Sequence, residues 1–98
     1  MQYVVATKRP IPVHAIKLDS FKLHSKVPGW FFDAYKEGDI HYSKLKDQWT
    51  VETLEGRMTG KDGDYLIRGV RDELYICKGK VFEETYDYTI IEEEHYDE

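Results

Sequence analysis

Asp64-Tyr65-Leu66-Ile67-Arg68-Gly69-Val70-Arg71-Asp72-Glu73-Leu74-Tyr75-Ile76-Cys77-Lys78 is the stretch that decides the fold class. Its two apolar, aromatic-bearing arms flank a Gly-Val-Arg-Asp turn, which is the pattern of a β-hairpin. Just upstream, Lys61-Asp62-Gly63 is a turn signal, because Asp-Gly is favoured where the backbone needs a positive φ. Further outward, Ile40 and Tyr42, then Trp49, Val51 and Thr53, alternate with polar residues across Ser43-Lys44-Leu45-Lys46-Asp47 and predict another hairpin. Leu54 to Thr59 continues or turns its second strand. Val13 to Leu18 is a strand candidate with His14, Ile16 and Leu18 on one face, which puts His14 at the margin of a core. Before it, Pro10 and Pro12 forbid a helix and suit an extended edge.

Two segments interrupt the strands. Trp30, Phe31, Ala34 and Tyr35 recur at helical spacing between Pro28, suited to a first helical residue, and Gly38, a stop. That face needs covering, because so short a helix cannot stand alone in water. Val81, Phe82 and Tyr86 share a one-turn spacing, and Asp87 to Ile91 reads as a last apolar strand. Ser20 to Lys26 has no clean period. The sum is an α+β domain: a curved antiparallel sheet, or a small open barrel, of five to seven strands with one or two short helices. Its expected extent is residues 1–91, with 92–98 as an acidic tail.

A chain of 98 residues with 14% aromatics has the size and apolar content for one core. The net charge of −5 is unevenly placed. Residues 83–98 carry eight acids and no Lys or Arg, whereas residues 1–82 carry 11 acids against 14 basic residues. The absence of a basic stripe and the acidic end speak against nucleic acid. No stretch is long and apolar enough to span a bilayer, and the charges after Val4-Val5 reverse the order of a signal peptide, so the expectation is a cytoplasmic protein. The single Cys77 excludes an internal disulfide.

In the second half, Thr53-Leu54-Glu55-Gly56-Arg57-Met58, Gly63-Asp64-Tyr65-Leu66-Ile67-Arg68-Gly69-Val70, Glu73-Leu74-Tyr75-Ile76-Cys77-Lys78 and Val81-Phe82-Glu83-Glu84-Thr85-Tyr86 follow one another in order. That succession resembles a family of small phage and prophage proteins. Lys8-Arg9-Pro10-Ile11-Pro12-Val13-His14-Ala15-Ile16 is similar to the family's opening. Where that family often has Pro before Gly-Asp-Tyr and Pro-Asp after Cys-Lys, this chain has Asp62 and Gly79-Lys80. These departures touch turns and leave the strands. The resemblance implies a phage origin and action inside a bacterium, and it carries no catalytic chemistry.

The residues themselves point the same way. Cys77 sits in an alternating strand, where a small apolar side chain fits better than a nucleophile paired with His14, His24 or His41. Those histidines and His95 lack ligand spacing, so no metal is called for, and the glycines form no phosphate-binding motif, so no cofactor is. The expectation is a non-enzymatic protein-binding module acting on a bacterial host protein. Phe32, off the main helical face, and the acidic Glu92, Glu93 and Glu94 are its candidate partner-binding residues. Exposed strand edges add the option of a homo-oligomer. The alternative is a nucleotide or other anion site in which Arg68, Arg71 and Lys78 meet the charge and Tyr65 or Tyr75 stacks on a ring.

Overall fold

A computed structural model describes residues 1–19 and 26–91. Among them the order is β1 (His14–Lys17), α1 (Gly29–Glu37), β2 (Ile40–Ser43), β3 (Gln48–Thr53), β4 (Gly56–Gly60), β5 (Tyr65–Arg68), β6 (Leu74–Cys77) and α2 (Gly79–Thr85). The class is α+β and the strands are antiparallel, as the sequence predicts. They do not close into a barrel. They form two three-stranded sheets, ordered β1-β5-β6 and β2-β3-β4.

The connections follow from their turns, the first of which carries the chain from β4 in one sheet to β5 in the other. Gly63 has φ +91, and the Asp64 N–H donates to the Lys61 carbonyl at 2.9 Å, so Lys61 to Asp64 makes the turn that Asp-Gly predicts. In the β5–β6 turn the left-handed residue is Asp72, with φ +64, and Gly69 serves another purpose. A Cβ at Gly69 would stand 2.7 Å from Glu73 Oε1, because that carboxylate folds back over the turn to accept the Arg71 N–H at 2.8 Å. Leu54-Glu55 turns β3 into β4.

The pairing registers sort side chains by face. On the β1-β5-β6 sheet, Leu66, Ile76, Ile16 and Leu74 face one core, which Phe31, Ala34, Ile40, Trp49 and Val51 complete from α1, β2 and β3. Tyr65, Ile67, Tyr75 and Cys77 face the other way, where α2 covers them with Phe82. Because this sheet is covered on both faces, β5 reads as an unbroken apolar run: Tyr65, Leu66 and Ile67 are all buried. The β2-β3-β4 sheet has one wet face, so β3 alternates, with Trp49 and Val51 buried and Glu52 exposed. Gly60 lies opposite Trp49, where a Cβ would meet Leu18 Cδ1 at 2.9 Å. The Trp49 indole N–H donates to the Asp19 carbonyl at 2.7 Å, so the largest core side chain also satisfies its polar atom.

Three readings need correction. Residues 87–91 form no strand, and Tyr88, Ile90 and Ile91 are exposed, because hydrogen bonds from Tyr88 to Glu83 and its ring contact with Phe82 hold this segment against α2 and away from a sheet edge. His14 is exposed although Ile16 and Leu18 on its face are covered, because β1 runs out beyond the core at its start. Tyr35, assigned to the covered face of α1, is 39% exposed, since Phe31 and Ala34 occupy the inward line of this nine-residue helix.

Candidate functional site

Helix α1 begins after Pro28, which is extended at φ −65, ψ 156, and it ends where Gly38 takes φ +84. Phe31 and Ala34, three residues apart, are its buried positions, and Phe31 meets the Trp49 ring edge-on at 5.4 Å between centroids. Phe32 is one residue, about 100°, further round the helix and therefore turns outward. It is 53% exposed, and Tyr35 and Lys36 stand three and four residues on, along the same stripe. The Lys36 ammonium lies 5.5 Å from the Phe32 ring centroid, which holds a cation against an exposed aromatic. On the next flank, Trp30, Asp33 and Glu37 join Asp39, Asp72 and Leu74 around a shallow cleft of about 180 Å³. Arg68 closes one side of it through a 2.8 Å ion pair with Asp72. The helix thus presents an aromatic stripe beside an acidic cleft.

The structure places Phe32 on the surface, where its phase on the helix put it. Glu92, Glu93 and Glu94 lie outside the described residues. The anion-site constellation is divided: Arg68 shares the Leu66 and Leu74 face of the sheet, while Tyr65 and Tyr75 occupy the opposite face under α2. Arg68 pairs with Asp72, Lys78 lies 3.5 Å from Asp64 Oδ2, and Tyr65 is buried in a 3.7 Å stack with Phe82. Arg71, exposed in the turn, is left apart from them.

Under α2 lies a polar arrangement that the sequence did not single out. Glu83 accepts the Tyr65 hydroxyl at 2.7 Å and the Tyr88 hydroxyl at 2.9 Å. These bonds hold the Glu83 carboxyl below the usual carboxylate range. Asp64 accepts the Lys61 N–H and, from the start of α2, the Gly79 N–H, each at 3.0 Å. Burial alone would raise its carboxyl, but the two N–H groups and the Lys78 charge together lower it. Burial, with the negative Asp64 second, pushes the Cys77 thiol up, so it stays protonated, contrary to what a nucleophile needs. The spacings Asp64 to Gly79 and Tyr65 to Glu83 are long-range, and no local motif marks them. The described residues hold no group of three or more His, Cys, Asp or Glu fit for a metal, and no helix among them is long and apolar enough to cross a membrane.

No family model, curated protein or solved structure matches this chain. The surface chemistry of α1 is therefore the strongest pointer to function.

The buried hydroxyls also predict an alkaline limit. Burial, reinforced by the bond to Glu83, raises Tyr65, and burial with the Tyr86 hydrogen bond pushes Tyr75 up to about 12. Both are protonated in the fold at pH values where the unfolded chain has begun to ionise near pH 10. Their contribution to stability is thus complete below pH 10; the Tyr75 share is lost as pH rises through about 12, and the Tyr65 share at still higher pH. Urea midpoints measured at pH 8 and pH 11 should fall at the higher value, and Tyr75→Phe should flatten that fall. An unchanged midpoint at pH 11 would contradict the assigned burial.

Proposed function

We propose that this chain is a non-enzymatic protein-binding module, a phage-encoded factor that acts in the bacterial cytoplasm by binding and modulating or inhibiting a host protein, and that the outer face of α1 makes the contact. The observation that carries the reading is Phe32, a large aromatic left 53% exposed on an otherwise anchored helix. Aromatic side chains of this kind are enriched among the few residues that dominate interface energies. Tyr35 and Lys36 extend its contact area, and Asp33, Glu37 and Asp39 give one rim a negative sign. The fitting partner offers an apolar pocket bordered by basic groups, since complementary charge speeds encounter and sets orientation. The phage assignment rests on the ordered motifs from Thr53 to Tyr86 and on the Lys8 to Ile16 opening.

Capture from bacterial lysate at low salt, followed by affinity measurement with the purified candidate, tests this. Phe32→Ala should weaken binding by about 2 kcal/mol, roughly 30-fold, while leaving the melting temperature nearly unchanged, because the ring is mostly in water already. Equal affinity of the wild-type protein and Phe32→Ala would remove α1 from the interface. A lysate that yields no specific partner would count against the module itself.

A further inference from the structure

Among the described residues, strand β1 leaves one edge of its sheet open. β6, at the far edge, packs against β3 and β4, and β2 packs against α1, whereas among the described elements β5 is the main neighbour of β1. The phase of its backbone follows from Leu18, whose N–H donates to the Asp64 carbonyl at 2.8 Å and whose carbonyl accepts the Gly63 N–H at 2.9 Å. Both Leu18 groups point toward β5. Since successive residues of a strand point their N–H and C=O groups to opposite sides, Ile16 and His14 also bond toward β5, while Lys17, Ala15 and Val13 direct theirs outward. Pro12 is in phase with His14, so its missing N–H would lie on the β5 side. The proline stops the inner ladder and does nothing to blunt the outer edge, although blunting is the usual service of an edge proline.

We propose that this edge pairs with the same edge of a second copy, β1 running antiparallel to β1 about a two-fold axis through Ala15, to make one six-stranded sheet. The outward row is self-complementary in that register. Ala15 meets the partner's Ala15, and Val13 meets the partner's Lys17, so every hydrogen-bonded pair joins two outward-pointing residues and about six backbone bonds form. The non-bonded pairs set His14 opposite the partner's Ile16. No like charges oppose one another, and the residue on the axis is the small, exposed Ala15, whose side chains can pass at the roughly 5.5 Å Cα separation of a bonded pair. Shifting the register by two toward the C-terminal side sets Ile16 opposite Ile16 and Lys17 opposite Ala15, which shortens the bonded row and discards Val13. The axis through Ala15 uses all three outward residues.

The test is sedimentation of the full chain from micromolar to millimolar concentration, with Ala15→Lys and Ala15→Glu as variants. The wild-type protein should dimerise with rising concentration. Either variant should raise the dissociation constant about tenfold or more, because two like charges then face each other on the axis. Mixing the two variants should restore association as a heterodimer, which simple misfolding of either could not do. Amide exchange should slow at Val13, Ala15 and Lys17 on dimerisation, with His14, Ile16 and Leu18 protected throughout. A wild-type chain that stays monomeric over the range overturns the proposal. So does an Ala15→Lys variant that dimerises as tightly as the wild type, or outward amides that exchange as fast in the dimer as in the monomer. None of these outcomes depends on Phe32, so the proposed partner surface stands or falls separately.

Discussion

Replacing Phe82 by alanine is expected to remove about 3–5 kcal/mol of stability, a large share of the roughly 5–15 kcal/mol that holds a domain of this size together. Phe82 is the one buried residue of α2, at 3% exposure. Its ring stacks on Tyr65 at 3.7 Å and on Tyr86 at 4.6 Å, and Tyr88 leans on it at 5.5 Å. Deleting it opens a cavity against Tyr65 and Ile67 that seven residues of helix cannot refill. The outer face of the β1-β5-β6 sheet would then meet water. Chemical denaturation should show the loss as a lower midpoint, and Phe82→Leu, which fills part of the space, should recover some of it. If Phe82→Ala unfolds at the wild-type midpoint, α2 is not a structural layer of this protein.

The second large effect is expected at Gly79. A Cβ there would lie 2.9 Å from the Gly63 carbonyl carbon and closer still to its oxygen, so the obstacle is backbone and cannot swing aside. Gly79→Ala must push the start of α2 away from the turn before β5. That movement breaks the 3.0 Å bond from the Gly79 N–H to Asp64 and loosens the Tyr65 stack. The cost should be about 3 kcal/mol, which for a chain of this length lowers the melting temperature by roughly 12 °C or more. Gly29 is the control. It is helical and nothing lies within 4 Å of its missing Cβ, so Gly29→Ala should be neutral or stabilise by up to about 1 kcal/mol through helix propensity. Equal melting curves for the two variants would show that Gly79 and Gly63 are not in contact.

Gly79 also shows where reading along the chain ends. Read along the chain, Gly79-Lys80 looks like a turn whose change would touch only local stiffness. Its actual constraint comes from a carbonyl 16 residues earlier, brought up by the β5–β6 hairpin. Gly69 teaches the same point in reverse: the turn it marks is present, but Asp72 takes the left-handed conformation and the glycine makes room for Glu73.

The α1 boundaries, the β2–β3 and β5–β6 hairpins, the Lys61–Asp64 turn and the outward phase of Phe32 were legible in the linear order of residues, whereas Leu54 to Thr59 left open whether β3 continues or turns. Each depends on interactions within a few positions, where propensity, φ preference and the 3.6 or 2.0 periodicity act directly. The division into two sheets was not legible, because any amphipathic strand can pair with several others and only the packing of Leu66 and Ile76 against Trp49 and Val51 selects among them. The same holds for the candidate sites. Alternation along β5 already set Tyr65 and Arg68 on opposite faces, but only the β5–β6 register put Tyr75 on the Tyr65 face, and only α2, laid over that face, buried Tyr65. Whether a side chain faces solvent depends on what the rest of the chain lays over it, and that contact is made only when the fold closes.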